Sequence, residues 1–308
     1  MKKLFSLVLI LCLLMSLCAF ASAERAEAAS FTVSSPAGAP GLALAVLAAQ
    51  HPEQYTYVAA ETITAEFSNA AADFIIAPLN AGAKLYRAGK SSYILAAVVS
   101  WGNLFIASQR ENFDLKDING TEITLFGENT INASVTLFSL KENGITPSKV
   151  NYLGSAANTQ QLLLSDPEAI VLTAEPALTA ARNKNEQITG YPVNDLYEKA
   201  TGHIGFTQAG LFVRADLAET DRDAVDAFLK QAEEACGKCT TDVEAVAEAA
   251  VALELLPNVK VAMSAIPNCT IRYLSAQEAR EEVERTANID LTQFGGEVPA
   301  DDFYYGAK

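Results

Sequence analysis

The chemistry that this sequence offers is concentrated in a few short loops, and the first contains only small residues. Ser35, Pro36, Ala37, Gly38 and Ala39 follow a short β-branched and aromatic segment and precede an apolar run of helical character. The first amides of a helix have no partner within it, so such a loop can donate hydrogen bonds to a ligand. A tight connection between strand and helix is the alternative, and both hypotheses stay open.

A second loop of this kind lies between a predicted strand ending at Phe126 and a predicted helix starting at Ile131. It contains Gly127, Asn129 and Thr130. Asn and Thr are preferred at helix N-caps, and capping is the more frequent function of such residues. A cap at the edge of a cleft can also contact a ligand.

Glu175 follows the buried-strand pattern AIVLT and, with Pro176, opens a predicted helix. The helix dipole favours a carboxylate at this position, which gives Glu175 a structural explanation. The alternative is a cleft residue that accepts a hydrogen bond from an amine or a ring N–H of a ligand.

Three further residues lie beside predicted strands. Trp101, the only tryptophan, separates two apolar segments, where it could pack in the core or stack on a planar ligand. His203 and Gln208 precede a later strand and could border a cleft.

The cysteines suggest structure more than catalysis. Cys236 and Cys239 have the spacing of a redox motif, but Cys236 continues the apolar stripe of a predicted helix. Together with Cys269 they allow one disulfide and one free thiol in an exported protein. Metal binding is disfavoured because the two histidines, His51 and His203, are not near them.

The start of the chain predicts export. Lys2 and Lys3 precede an apolar run, and Ala21-Ser22-Ala23 resembles a cleavage site, so residues 1–23 are predicted to be a signal peptide. Lipidation of Cys18, with membrane anchoring, is the alternative, and residues 24–29 would form a tether. The protein would be periplasmic or extracellular. A net charge of −15 argues against nucleic acid or an anionic membrane as partner.

Stretches that alternate between strand and helix patterns must position these loops. Apolar strand patterns such as DFIIA and AIVLT alternate with helical ones, which is typical of a doubly wound α/β fold. The pattern restarts after the polar segment ENFDLKDING, so the sequence predicts two doubly wound α/β lobes joined by two crossing segments, with a mainly helical C-terminal part. LFIAS and AGLFVR are the predicted crossings and hinge candidates.

The order of these segments resembles the type-2 periplasmic-binding-protein fold of ABC importers, in particular the NMT1/THI5-like group. The similarity rests on ADFIIAPLNAGAKLY, DLKDINGTEITLFGENT, LKENGI, LTAEPALTAA and AGLFVRADLAETDRDAVDAFLKQAEEA. That group includes receptors for sulfonates, nitrate and thiamine-pyrimidine precursors. The resemblance implies lobe 1 at 30–106 plus 208–308 and lobe 2 at 107–207.

The resemblance also implies a function and a set of contacts. A monomeric receptor would capture a small molecule by hinge closure and deliver it to ABC permease subunits in the membrane, with no cofactor, no metal and no catalysis. The loop at 35–39 and Asn80 would contribute lobe-1 contacts, and residues 127–130 with Glu175 would contribute lobe-2 contacts. The alternatives are an enzyme on the same fold that acts on a small heterocyclic substrate, or a thiol-redox protein using Cys236 and Cys239.

Overall fold

The computed structural model describes residues 30–60, 62–203 and 205–307. The predicted signal peptide, the lipidation alternative at Cys18 and the tether lie outside the described residues. Within the described ranges, no helix combines the length and the apolar composition that a membrane span requires.

The four strands that start at Phe74, Tyr93, Leu104 and Ile170 are apolar, mostly buried runs, as expected for a sheet that is covered on both faces. Eleven strands are present in the described residues: β1 (Val33–Pro36), β2 (Tyr55–Val58), β3 (Phe74–Pro78), β4 (Tyr93–Trp101), β5 (Leu104–Ser108), β6 (Glu122–Phe126), β7 (Lys149–Leu153), β8 (Ile170–Ala174), β9 (Thr189–Pro192), β10 (Thr207–Arg214) and β11 (Ile271–Ser275).

Helices connect most of these strands and dominate the C-terminal third. The α-helices of the described ranges are α1 (Ala39–Leu42), α2 (Ala45–Gln50), α3 (Ile63–Asn69), α4 (Leu79–Arg87), α5 (Ile131–Glu142), α6 (Ala156–Ser165), α7 (Ala177–Arg182), α8 (Val193–Thr201), α9 (Ala215–Thr220), α10 (Arg222–Thr241), α11 (Val243–Ala252), α12 (Val259–Ala265) and α13 (Ala276–Ala287).

The strands form two sheets. The first has the order β11-β4-β10-β3-β1-β2, and the second has the order β7-β6-β8-β5-β9. In the first sheet β1 pairs in parallel with β2 and β3, whereas β10 is antiparallel to both β3 and β4. In the second sheet β6 pairs in parallel with β7 and β8, and β5 is antiparallel to β8 and β9.

The first crossing brings the two sheets edge to edge. Only Gly102 and Asn103 separate the end of β4 from the start of β5. The end of β4 lies at the edge where β1 and β3 also end, and Leu104 pairs with Ala174 at the end of β8. The carboxyl ends of the parallel strands in both sheets therefore lie on either side of this short crossing.

The chain returns to the first sheet between Pro192, where β9 ends, and Thr207, where β10 begins. Both crossings therefore precede the two strands that were predicted to form them. LFIAS pairs only with β8 and β9, and AGLFVR only with β3 and β4. The lobe boundaries inferred from the resemblance stay a prediction.

The core is divided by the sheets into apolar clusters. One cluster is continuous across both sheets and joins residues such as Leu95 of β4 and Leu125 of β6 through Trp101 and Leu104. A second cluster lies between the other face of the first sheet and helices α2, α10 and α11, and a smaller third one packs α6 and α7 on the second sheet. Burial of these faces fixes the strand order and with it the edge that carries the candidate site.

The predicted succession of strands and helices is confirmed as far as α7, with ends that shift by a few residues. The mainly helical C-terminal part is also confirmed. Five elements were missed, namely β9, α8, α9, α12 and β11. Strand β9 has the sequence TGYP, in which Gly and Pro predict a turn, yet it pairs with β5 along its whole length.

The disulfide that the sequence allows is not formed in this structure, since Cys236, Cys239 and Cys269 are all buried free thiols. Burial raises the pKa of Cys239 to about 12 and raises the pKa of Cys236 and Cys269 as well. A redox cysteine needs an accessible thiolate. The burial and the raised pKa values of Cys236 and Cys239 therefore argue against the redox alternative and support core packing.

Candidate functional site

The loop after β1 presents backbone groups at the facing edge. Gly38 has φ = 100°, in the left-handed region that favours glycine, and it immediately precedes α1. Ser35, Pro36 and Ala39 are buried, whereas Ala37 is exposed. The amides of Ala37, Gly38 and Ala39 donate to no other group of the described residues.

Asn80 occupies the first turn of α4, directly after β3. Its side chain is only 8% exposed, and it makes no hydrogen bond with any described residue. A buried side-chain amide normally has hydrogen-bond partners, and Asn80 has none among the described residues. It is therefore free to bind a polar group at this edge. Strands β1 and β3 are neighbours, so Asn80 and the loop at 35–39 lie at the same end of the first sheet.

The loop after β6 is held by its own contacts. Gly127 and Asn129 have positive φ angles of 72° and 57°. Thr130 is the N-cap residue of α5, but its hydroxyl makes no capping bond and instead donates to the Gly127 carbonyl oxygen at 2.6 Å. The predicted capping by Thr130 is therefore wrong. Asn129 is exposed, and Thr130 is half-buried.

Glu175 lies at the end of β8 and is 3% exposed. One carboxylate oxygen accepts from the Thr179 amide at 3.0 Å, and the other accepts from the Thr179 hydroxyl at 3.0 Å. Burial raises the pKa of Glu175, although both bonds from Thr179 lower it. These bonds give Glu175 the structural function at a helix start that its sequence position suggests, because they satisfy an amide in the first turn of α7.

The two sheets are joined at this edge by a network centred on Asn103, which the sequence analysis missed. The Asn103 amide donates to Gln208 Oε1 at 3.0 Å, and its side-chain Nδ2 donates to the Glu175 carbonyl oxygen at 3.1 Å. Gln208 Nε2 in turn donates to Asn132 Oδ1 at 3.3 Å. Gln208 of the first sheet thus contacts α5 of the second, next to the loop after β6.

Several buried polar atoms near this edge have no partner among the described residues. They include Asn103 Oδ1, Ser34 Oγ and Tyr57 OH. Tyr57 lies opposite Ser35 in the β1–β2 pairing, and burial raises its pKa to about 12. An alternating strand such as YTYV gives no sign of which tyrosine lies at a functional edge, so the sequence could not single out Tyr57.

The remaining predicted residues have partners elsewhere. Trp101 is 1% exposed, donates from Nε1 to the Arg272 carbonyl oxygen at 2.8 Å, and has the Arg272 guanidinium 4.2 Å from its ring centre. These contacts support core packing, and stacking of Trp101 on a ligand stays a prediction. His203 Nδ1 lies 3.5 Å from Glu282 Oε1 on α13.

The structure brings the predicted residues together only in part. The loop at 35–39 shares an edge with Asn80, and the loop at 127–130 shares an edge with Glu175, since β6 pairs with β8. In the described residues no hydrogen bond joins the first pair to the second. No group of His, Cys, Asp and Glu in these ranges could hold a metal ion.

A cavity of about 520 Å³ lies elsewhere, between the start of β11 and the C-terminal half of α10. Of the predicted ligand residues, only Trp101 lines it. The lining therefore includes neither the loops at 35–39 and 127–130 nor Asn80 and Glu175.

Comparison with solved structures identifies the fold. An ABC transporter protein from Parabacteroides distasonis superposes with a TM-score of 0.76 at 20% identity, covering 90% of this chain and 99% of that one. The ligand binding component of an ABC-type import system from Staphylococcus aureus, with zinc bound, gives 0.69 at 12% identity over 90% and 98%. The periplasmic aliphatic sulphonate binding protein of Escherichia coli gives 0.67 at 15% identity over 90% and 92%.

Neither a family model nor a curated protein matches the sequence. At these identities the likeness to solved structures shows the fold, which is the two-sheet α/β architecture of periplasmic binding proteins. The predicted fold class is confirmed.

Proposed function

We propose that this protein is an extracytoplasmic solute-binding protein that captures a small organic molecule between two α/β lobes and delivers it to an ABC permease. The observation that carries the proposal is the two-residue crossing at Gly102 and Asn103, which sets the carboxyl ends of both sets of parallel strands against each other. In open α/β sheets, ligands bind at this end of the strands. The similar structures include ligand-binding components of ABC importers, which supports the proposal.

The proposed contacts come from both edges. On the side of the first sheet, the loop at 35–39 would contribute backbone amides, and Asn80 would contribute its unpartnered side-chain amide. On the side of the second sheet, the ligand would be contacted by Gly127, Asn129, Thr130 and Glu175. Ligand binding stabilises the closed arrangement because only there do both lobes contact it. The protein would act as an exported monomer, without cofactor and without turnover.

The ligand is proposed to be neutral or weakly basic. The loops at 35–39 and 127–130 contain no Arg or Lys, and their acidic neighbour Glu175 is buried. A strong anion needs a cation or a cluster of charge-assisted donors. Sulfonate and nitrate, the ligands of some members of the group that the sequence resembles, would lack such a partner in these loops.

The experiment is mass spectrometry of the molecule that co-purifies with the protein, followed by a thermal-shift panel that includes the identified compound, sulfonates and nitrate. We expect stabilisation by a neutral or weakly basic compound that is recovered unchanged. Stabilisation by sulfonates or nitrate alone would contradict the proposed ligand class. Turnover of the compound would contradict the receptor function.

The Asn80→Ala variant tests the cleft itself. We expect about two- to tenfold weaker binding of the co-purified compound, because one hydrogen bond to a ligand contributes about 0.5–1.5 kcal/mol. Asn151→Ala is the matched control, since Asn151 bonds to Glu122 on the outer strands of the second sheet. Equal affinities for Asn80→Ala and the wild type would remove Asn80 from the site.

A further inference from the structure

The cavity between α10 and β11 lies at the joint of the two sheets and contains an unusual combination of groups. Its lining includes Trp101 at the end of the first sheet, Gly205 on the second crossing and Asn194 on α8. A volume of about 520 Å³ is within the range of about 300–1,000 Å³ typical of small-molecule sites. An occupant would contact the first sheet, the second crossing and α8.

The floor of this cavity is apolar. Cys236, Cys239, Ile266 and Ile271 line it, and all four side chains are almost fully buried. The Trp101 ring completes the floor and carries the Arg272 guanidinium on its face. Such a surface suits the apolar body of a ligand, because transfer of that body from water to the cavity is favourable.

Two exposed charged side chains without an ion-pair partner among the described residues line the same cavity. Arg272, on β11, forms no ion pair and donates no side-chain hydrogen bond to any described residue, although the chain carries a net charge of −15. Glu233, on α10, is likewise without an ion-pair partner in the described ranges. A stacked guanidinium is a preferred partner of a carboxylate, and Glu233 can accept from an ammonium group.

Asn194 also lines the cavity, but its side-chain oxygen faces the crossing. Its Oδ1 is inaccessible to solvent and lies 2.0 Å from the position that a Cβ added to Gly102 would occupy. This oxygen therefore packs against the crossing, and the polar recognition in the cavity rests on Arg272 and Glu233.

We propose that this cavity is a second binding site, distinct from the interlobe cleft, for a small zwitterion with an apolar body, such as an amino acid with an aromatic side chain. Arg272 binds the carboxylate, Glu233 accepts from the ammonium group, and the floor contacts the apolar body. The site takes none of its polar contacts from the loops at 35–39 and 127–130.

Trp101 provides a direct probe, since it is the only tryptophan and lines the cavity. The experiment titrates L-phenylalanine, phenylacetate and phenethylamine into the purified full-length protein while tryptophan emission is recorded. Isothermal titration calorimetry of the same samples registers any binding that does not change the emission. We expect saturable binding of L-phenylalanine at a concentration at least tenfold lower than that needed for either singly charged analogue.

Three variants assign the site. Arg272→Met keeps an apolar stem over Trp101 but removes the cation, and it should weaken L-phenylalanine binding at least tenfold. Glu233→Gln should weaken it several-fold. Asn80→Ala, at the interlobe edge, should leave it unchanged. Circular dichroism and the melting temperature confirm that each variant folds.

The absence of saturable binding by both methods would overturn the proposal, as would equal affinity for the three compounds or an unchanged affinity in Arg272→Met. Loss of L-phenylalanine binding in Asn80→Ala would place that ligand in the interlobe cleft and also overturn it. The two proposals can fail separately. If the interlobe cleft binds no ligand, the result expected from titrating the α10–β11 cavity stays the same.

Discussion

At the scale of single residues, Glu175 shows how burial changes the chemistry of a carboxylate. Its side chain is almost fully buried and, among the described residues, accepts hydrogen bonds only from Thr179. Burial disfavours the charged form and raises the pKa, whereas the two hydrogen bonds favour the charged form. The net direction is upward, so the folded protein binds the Glu175 proton more tightly than the unfolded chain does.

This shift predicts a pH dependence of stability. The Glu175 contribution is fully present below the unfolded pKa of about 4.3 and decreases as pH rises through the higher folded value. Glu175→Gln does not titrate, so its free energy of unfolding relative to wild type should increase between about pH 4 and pH 7. Urea denaturation at several pH values measures this difference.

Glu122→Gln is the control with the opposite sign. The hydrogen bond from Asn151, followed by that from Lys149, lowers the pKa of Glu122. The stabilising contribution of Glu122 is therefore present above the unfolded pKa and lost as pH falls through the folded value. Relative to wild type, this variant should lose stability as pH rises. The same trend in both variants would contradict the assignment of the Glu175 shift.

Gly102 shows how closely the crossing is packed. It has φ = 39°, and a Cβ added there would lie 2.0 Å from Asn194 Oδ1 and 2.8 Å from Phe206 Cε1. Gly102→Ala should therefore reduce the free energy of unfolding by about 1–3 kcal/mol through overpacking and backbone strain. Chemical denaturation measures the change.

Gly237→Ala is the comparison for Gly102→Ala. Gly237 lies within α10, where an added Cβ meets no atom within 4 Å. Alanine favours the helix over glycine by about 0.5–1 kcal/mol, so this variant should gain stability. A loss of stability in Gly237→Ala, or none in Gly102→Ala, would contradict the packing described for the crossing.

At the scale of elements, local patterns identified most helices and strands because each carries its own signal. The start of α13 is an example. The sequence Ser275-Ala276-Gln277-Glu278 has the spacing of a capping box, and the structure forms one. The Ser275 hydroxyl accepts from the Glu278 amide, and the Glu278 carboxylate accepts from the Ser275 amide. The strand β11 directly before it was missed, because IRYLS is short and ends within that capping signal.

The capping box predicts a measurable loss. Ser275→Ala removes the side-chain cap and should reduce the free energy of unfolding by about 0.5–2 kcal/mol. Ser165→Ala is the control, since the Ser165 hydroxyl only donates to the Leu162 carbonyl near the end of α6. Equal effects of the two substitutions in urea denaturation would show that the Ser275 cap contributes nothing of its own.

At the scale of the whole molecule, a few polar contacts link the two sheets in addition to the apolar cluster that is continuous across both. Gln208 accepts from the Asn103 amide and donates to Asn132, and the Ser134 hydroxyl donates to Asp290 Oδ2 at 2.7 Å. These bonds connect β10 and the segment after α13 to the crossing and to α5. They hold the two sheets in the arrangement described above.

Removal of the Gln208 contacts should favour a more open arrangement. Gln208→Leu leaves the Asn103 amide and Asn132 without these partners, and each unsatisfied buried group costs about 1–3 kcal/mol. Because water can satisfy both groups when the lobes separate, we expect a larger radius of gyration in the ligand-free protein. Small-angle X-ray scattering measures it.

Gln109→Leu provides the matched control for Gln208→Leu. The Gln109 side chain also makes two hydrogen bonds: it donates to the Leu163 carbonyl oxygen and accepts from the Asn185 side chain. Both partners belong to the helices and loops of the second sheet. This variant should lose stability without a change in the radius of gyration. An increase of the same size in both variants would argue against Gln208 as a link between the lobes.

The sequence by itself determined the succession of strands and helices, the capping of α13 and the candidate loops. These features depend on local spacing, since parallel strands buried on both faces are continuous apolar runs and caps lie within four residues of each other. Tertiary structure decided which polar groups meet. Asn103 lies 72 residues from Glu175 and 105 from Gln208, so no local pattern connects them. Strand pairing brings these side chains together at one edge of the sheets. The strand order itself follows from burial of the apolar faces, which depends on residues far apart in the sequence.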